Sequence, residues 1–196
     1  MIPAYTLRQG LPAHLLAEAA QLYWQAFGAK LGLVLGPEPA ALAYLQQVIR
    51  PDHVLIALSD TGHLLGLAGF KTPQASFVSG GAAELRASYG LIGGSWRARL
   101  LGWLNQEVDN ENFLLDGLCV VPGYRGYGLG TALMSAICTE AQARGYDTVR
   151  LDVVDNNWRA QALYRRLGFV ETQSQSIGLL RHVFGFSTAI TMVRRI

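Results

Sequence analysis

Residues 113–169 read FLLDGLCVVPGYRGYGLGTALMSAICTEAQARGYDTVRLDVVDNNWRAQALYRRLGF. The stretch opens with an apolar run, Phe113 to Val121, closed by Pro122 and Gly123. A short apolar run rich in Leu and Val and bounded by Pro and Gly is the pattern of a buried strand. A glycine-rich turn follows, Arg125-Gly126-Tyr127-Gly128-Leu129-Gly130. From Thr131 to Arg144 the apolar residues Leu133, Ala136, Ile137 and Ala141 fall at helical spacing. Thr148 to Val154 alternates Val149, Leu151 and Val153 against Arg150, Asp152 and Val154, which predicts a second strand. A second helix is expected from Asn157 to Leu167, stopped by Gly168. The order is strand, glycine-rich loop, helix, strand, helix.

A glycine-rich loop leading into a helix has a chemical use. The first turn of a helix carries N–H groups without intrahelical partners, and the helix dipole adds partial positive charge there. Glycines let a phosphate approach those groups closely. Gly126, Gly128 and Gly130, with Arg125 beside them, read as a pyrophosphate cradle. The alternative is a turn chosen only for tight packing. Two other phosphate loops are excluded by spacing. A dinucleotide fingerprint needs G-x-G-x-x-G, but the third glycine position is Thr131 or Leu133. A P-loop needs lysine after its second glycine; Gly123 and Gly128 have the right separation, but Leu129 follows.

Several further motifs stand in order around this loop. Val120-Val121-Pro122 matches V-x-P, and Arg125, Gly128 and Gly130 match [QR]-x-x-G-x-[GA]. Asn157, Ala160, Leu163, Tyr164, Gly168 and Phe169 match N-x-x-A-x-x-L-Y-x-x-x-G-F. Together they resemble the GNAT superfamily of N-acyltransferases over about a third of the chain. The resemblance implies an α/β (α+β) fold with a mixed, mostly antiparallel central sheet flanked by helices. It implies acetyl-CoA as cosubstrate and an amine as acceptor, joined by direct attack in a ternary complex. By position, the backbone of Cys119, Val120 and Val121 would pair with the pantetheine arm, and the Val120 N–H would polarise the thioester. Arg125, Gly126, Tyr127, Gly128, Leu129, Gly130 and Thr131 would hold the pyrophosphate. Asn157 would bond the pantetheine region, cap its helix, or do both. Tyr164, a phenol protonated at neutral pH, would serve the departing sulfur as acid.

The base is less constrained. Asp116 lies four residues before Val120, on the same face if the strand alternates regularly. It is read either as a base acting through water or as a carboxylate that binds a cationic substrate or an arginine. Glu84 and Glu107 are weaker candidates. The rival to an enzyme is an acyl-CoA sensor or interaction module that keeps the cofactor cleft but does no chemistry.

The 196 residues fit one domain spanning 1–196. Hydrophobic residues make up 51% and charged residues 15%, which hints at a buried helical surface or an oligomer interface such as a homodimer's. A net charge of +2 argues against nucleic acid as a partner. The two cysteines, Cys119 and Cys138, have no metal-type spacing, and the four histidines are scattered. No membrane partner is expected, because no apolar run is long enough to span a bilayer; a cytoplasmic chain without signal peptide is the expectation.

Outside the central stretch, residues 4–8 suggest an edge strand. Leu15 to Phe27 suggests a helix broken up by Gly28, Gly32 and Gly36, and Pro39 to Ile49 a second helix. Tyr23, Trp24 and Phe27 are read as core, with the lining of a substrate pocket as the alternative. Val54–Leu58 and Leu64–Lys71, joined through Asp60-Thr61-Gly62, predict a hairpin. Gly66 and Gly69 within it suggest a bulge or close backbone approach. Segment 73–112 is too long for a structureless loop. It is expected to form a helical insertion of two short helices, one over Ala82–Ala87 and one capped by Ser95. The second carries Trp96, Leu100, Trp103 and Leu104 on one face. The insertion is read as a packing annex, a dimer interface, or a wall of the acceptor pocket. Its aromatic and apolar residues lean toward a small or partly apolar acceptor, with a peptide or protein amine as the alternative. A loop over 178–185 and a last strand over 186–194 complete the expectation.

Overall fold

The computed structural model describes residues 4–104, 112–178 and 181–196. A seven-stranded sheet runs in the order β1-β2-β3-β4-β5-β7-β6. The strands are β1 (Tyr5–Gln9), β2 (Val54–Ser59), β3 (Leu64–Lys71), β4 (Phe113–Val120), β5 (Thr148–Val154), β6 (Val170–Ser176) and β7 (Thr188–Arg195). Only β4 and β5 are parallel; every other neighbouring pair is antiparallel. The parallel pair needs a crossover, which the helix after the glycine loop supplies: α4, Leu129–Ala143.

Two cores lie on opposite faces of the sheet. On one, α4 buries Leu129, Leu133, Met134 and Ile137 against Phe113, Val149 and Leu151, with Tyr164 of α5 (Trp158–Arg166) at its margin. On the other, α1 (Leu16–Leu35) and α2 (Glu38–Val48) bury Leu22, Tyr23 and Leu45 against Ile56, Leu67 and Cys119. Period-two alternation explains the division, since Val149, Leu151 and Val153 all face α4.

The expected break in the first helix does not occur. α1 runs unbroken through Gly28 and Gly32 and ends only at Gly36. Gly28 has a packing reason: a Cβ there would lie 2.9 Å from the Trp24 ring one turn earlier. Packing of an apolar face overrides the propensity cost of one or two glycines, about 1 kcal/mol each.

The insertion is helical but divided elsewhere. α3 spans Ala82–Leu104 and kinks at Gly90, whose φ of +76° is a conformation glycine adopts without penalty. Gly94 does not break the helix: a Cβ there would lie 2.4 Å from the Arg86 backbone. The kink therefore folds the second half back onto the first. Ser95 is no N-cap; its hydroxyl donates to the Leu91 carbonyl. Arg97 Nε donates to Val34 O at 2.6 Å and Nη2 to Gly36 O at 3.3 Å, and the Tyr89 hydroxyl donates to Leu35 O. α3 thus caps the C-terminal carbonyls of α1, groups that have no partner within their own helix. The side chains of Trp103 and Leu104, and Glu107 altogether, lie outside the described residues. Residues 178–185, expected as loop, include one helical turn, α6 (Arg181–Phe184). Among the described residues no helix is long and apolar enough to cross a membrane.

Candidate active site

β4 and β5 pair over only three positions, Phe113 with Val149, Leu114 with Arg150 and Leu115 with Leu151. Beyond Leu115 they diverge. The cause sits on the other edge of β4. Gly69 of β3 pairs with Gly117 but Phe70 pairs with Leu115, so Asp116 is an extra residue, a β-bulge. A bulge bends its strand and increases local twist. It also breaks period two. Leu118 and Val120 pack on the α4 side, while Asp116 accepts a hydrogen bond from Val78 N–H at 3.0 Å on the α1 side. The expectation that Asp116 shares a face with Val120 is therefore corrected.

The divergence opens a cleft of about 900 Å³. One wall is the edge of β4 from Leu115 to Val120, the other Asp152 to Val154 of β5. The Val121 N–H points to β3, donating to Leu65 O at 3.0 Å. Alternation turns the Val120 backbone the other way, into the cleft, where its carbonyl accepts from Arg125 Nε at 3.0 Å. Cys119 and Val120 line the cleft; Val121 does not.

The glycine loop closes one end. Gly126 and Gly128 have φ of +83° and +89°, and a Cβ on either would meet no atom. These glycines serve backbone conformation and leave space open. Gly130 serves closeness: its Cβ would lie 3.2 Å from Leu163 of α5. Gly128 is the N-cap of α4, and among the described residues no side chain caps that end. Arg125, Gly126, Gly128, Gly130 and Thr131 line the cleft. Tyr127 is exposed and Leu129 is buried in the α4 core, and neither lines the cleft. The facing helix differs: Asn157 Oδ1 accepts from Ala160 N–H at 3.3 Å and caps α5 while lining the same cleft.

Tyr164 rises from α5 into this cleft and is otherwise buried, its ring 5.9 Å from Phe169. Burial pushes its phenol well above the ordinary value, with Cys119 adding to the effect. Burial likewise pushes the Cys119 thiol up to about 12. A neutral thiol is a poor nucleophile.

A second cavity of about 760 Å³ joins the first at Leu115, Asp116 and Asp152. It lies on the α1 and α2 side of the sheet. Its floor is polar, with Lys71, Asp116, Arg150, Asp152 and Thr191 from four strands; its wall is apolar, with Leu31, Leu35, Leu45, Leu101, Ile177 and Phe186. Burial raises the carboxyl of Asp116, and the bond from Val78 and the charge of Lys71 partly offset this. Tyr23 is both core and lining of the second cavity; Phe27 lines the first cleft; Trp24 lines neither. Glu84 is placed differently from a base. It caps α3 by accepting Gly81 N–H at 2.9 Å, bonds to backbone N–H groups hold its carboxyl below the ordinary range, and it lines neither cavity.

Sequence reasoning missed Lys30, Lys71, Arg150 and Asp152 as cavity residues. The alternation of β5 marked Arg150 and Asp152 as facing away from α4. What they face instead depends on how α1, α2 and the last hairpin close over the sheet.

The family model for the Acetyltransferase (GNAT) family matches residues 16–169. A thialysine N-epsilon-acetyltransferase from Bos taurus is 39% identical over 58 residues, covering 30% of this chain and 34% of the relative. The [ribosomal protein bS18]-alanine N-acetyltransferase of Escherichia coli (strain K12) is 40% identical over 68 residues, covering 35% of this chain and 45% of the relative. These matches span less than half the length of either relative. The crystal structure of an N-acetyltransferase from Staphylococcus aureus Mu50 superposes with a TM-score of 0.65 at 16% identity, covering 96% of this chain and 100% of the other. A diverging parallel strand pair beside an uncapped, glycine-led helix, within a matching span of 154 residues, places the chain in the acetyltransferase (GNAT) family.

Proposed function

We propose that this protein transfers an acetyl group from acetyl-CoA to the amine of a small, partly apolar acceptor by direct attack within a ternary complex. The observation that carries the reading is the divergence of β4 and β5 at Leu115, next to the uncapped N-terminus of α4. The two features present strand-edge backbone groups and helix N–H groups to one cleft. A pantetheine arm is an amide chain and needs the first; a pyrophosphate needs the second.

Bound acetyl-CoA supplies an acyl group already activated as a thioester. The chain's residues do the rest. The first-turn N–H groups of α4, with Gly126 and Gly128 leaving space, hold the diphosphate. The Val120 N–H faces the cleft and polarises the acyl oxygen. Asn157 orients the amide arm while it caps α5. Tyr164, held neutral by burial, gives its proton toward the departing sulfur. Asp116, at the junction of the two cavities, takes a proton from the acceptor ammonium through water.

A small acceptor is supported by what packs beside the second cavity. Val34, Ile177 and Phe184 form one buried cluster with Leu100, Leu101 and Phe186 packed on it. This ties α1 and α3 to the β6–β7 connection beside the second cavity, which supports a small acceptor over a polypeptide laid across the floor. The apolar wall suits an acceptor with a hydrocarbon body.

Calorimetry with coenzyme A tests the donor side. A saturable 1:1 heat is expected, weakened at least about tenfold in Gly128→Val, because a β-branched residue at φ +89° costs about 1–2 kcal/mol and the side chain enters the space of the phosphate. No heat from well-folded protein overturns the reading. Thiol release across a panel of small amines and peptides then separates an enzyme from a sensor.

Asp116→Asn tests the base. Because burial raises this carboxyl, the rate is expected to fall with acid from a pH above the ordinary carboxylate range. Asparagine keeps the acceptor for Val78 N–H but removes that limb and lowers the rate about 100-fold. An unchanged rate with an unchanged pH profile removes Asp116 from the mechanism.

A further inference from the structure

Of the 16 lysines and arginines, only Lys30 and Lys71 are lysines. Each lines one of the two joined cavities: Lys71 the acceptor side, Lys30 the cofactor-side cleft. Lys30 leaves α1 one turn after Phe27, on the same helix face. The Phe27 ring lies against the unpaired part of β4; a Cβ on Gly117 would meet it at 3.1 Å. Lys30 Nζ sits 6.0 Å from the centre of that ring. The amine therefore stands over the divergence from the α1 side of the sheet, opposite Tyr164. That is the side on which the acceptor cavity lies.

We propose that Lys30 is a self-acetylation site, its Nζ taking the acetyl group from acetyl-CoA bound in the same chain. This rests on the acetyl-CoA reading above. The balance is complete without a further reactant. The Lys30 ammonium gives one proton to solvent, and the neutral Nζ attacks the acyl carbon. The N–C bond forms as the C–S bond breaks, and its electron pair leaves on sulfur. The sulfur takes the second proton from nitrogen, so the products are the acetamide, coenzyme A thiol and one released proton. Partial burial lowers the Lys30 pKa and enlarges the neutral fraction, while the charge of Asp155 acts the other way. Arginine, the choice everywhere else but Lys71, is not a substrate for this reaction because its guanidinium stays charged. The acetamide places a neutral group where an acceptor amine must approach, so modification slows transfer to other amines.

The test uses the intact full-length chain with acetyl-CoA and no acceptor, followed by intact mass and peptide mapping. One added acetyl group at Lys30 is expected, formed at least about tenfold faster than in heat-unfolded protein, because the donor is held beside the amine. The rate should saturate with acetyl-CoA, stay independent of protein concentration, and fall when coenzyme A competes. Lys30→Arg, which keeps stem and charge, should abolish the adduct; Lys71→Arg should keep it. If calorimetry shows binding but Lys30 reacts no faster than Lys71 or than the unfolded chain, self-acetylation is overturned and the acetyl-CoA reading stands. If no binding is seen, both fall.

Discussion

Tyr164→Phe is expected to lower kcat about 100-fold while KM for acetyl-CoA stays within about threefold. The substitution deletes one oxygen and keeps the ring. The ring packs at the margin of the α4 core and against Phe169, so the fold should be retained. Tyr164 lines the cleft, and burial favours its protonated form. A group that donates only as charge develops on sulfur stabilises the transition state and not the ground state, so the loss should appear in kcat. The measurement is steady-state thiol release with acetyl-CoA and acceptor varied separately. The effect should shrink with an acyl donor whose leaving thiol is more acidic, since such a group needs less help. A kcat equal to that of the parent protein would assign Tyr164 to packing alone.

Phe113→Ala is expected to cost about 3–5 kcal/mol of folding stability. Phe113 is fully buried, with Phe70 at 5.1 Å on one side and Tyr146 at 5.4 Å on the other. Its position adds to its burial. It begins β4 and forms the first of only three parallel pairs that join β4 to β5. Those pairs are the closed end of the cleft. A domain of ordinary stability has about 5–15 kcal/mol in total, so the variant should be marginal at 37 °C. A drop in Tm of about 6–20 °C is expected from the usual dependence for a chain of this size. Urea unfolding followed by far-UV dichroism gives the free energy, and the same variant near 10 °C should bind coenzyme A more weakly. A loss below about 1 kcal/mol would show that the closed end does not depend on this ring.

The glycine loop and the helices around it are local features, and the chain declares them locally. Gly126 and Gly128 sit in left-handed backbone, Asn157 caps its helix, and Gly168 ends it at φ +85°; each follows from what one or two residues can adopt. Three features were not legible. α1 passes through its glycines because packing outweighs propensity. The kink in α3 falls at Gly90 and not at Gly94, because Gly94 is needed where two helical segments touch. Asp116 changes face because a bulge inserts one residue, and no alternation pattern shows which residue is extra.

The sequence by itself determined the order of elements, the class of sheet and the position of the glycine-rich turn, since hydrophobic period, cap residues and left-handed glycines act over a few bonds. Only the tertiary structure decided where β4 and β5 part, that Asp116 stands at the junction of two cavities, and that Lys30 reaches over the opening from a distant helix. Those facts depend on contacts between segments far apart in the chain. Their geometry is the sum of twist, bulge and packing across the whole sheet, which no local pattern encodes.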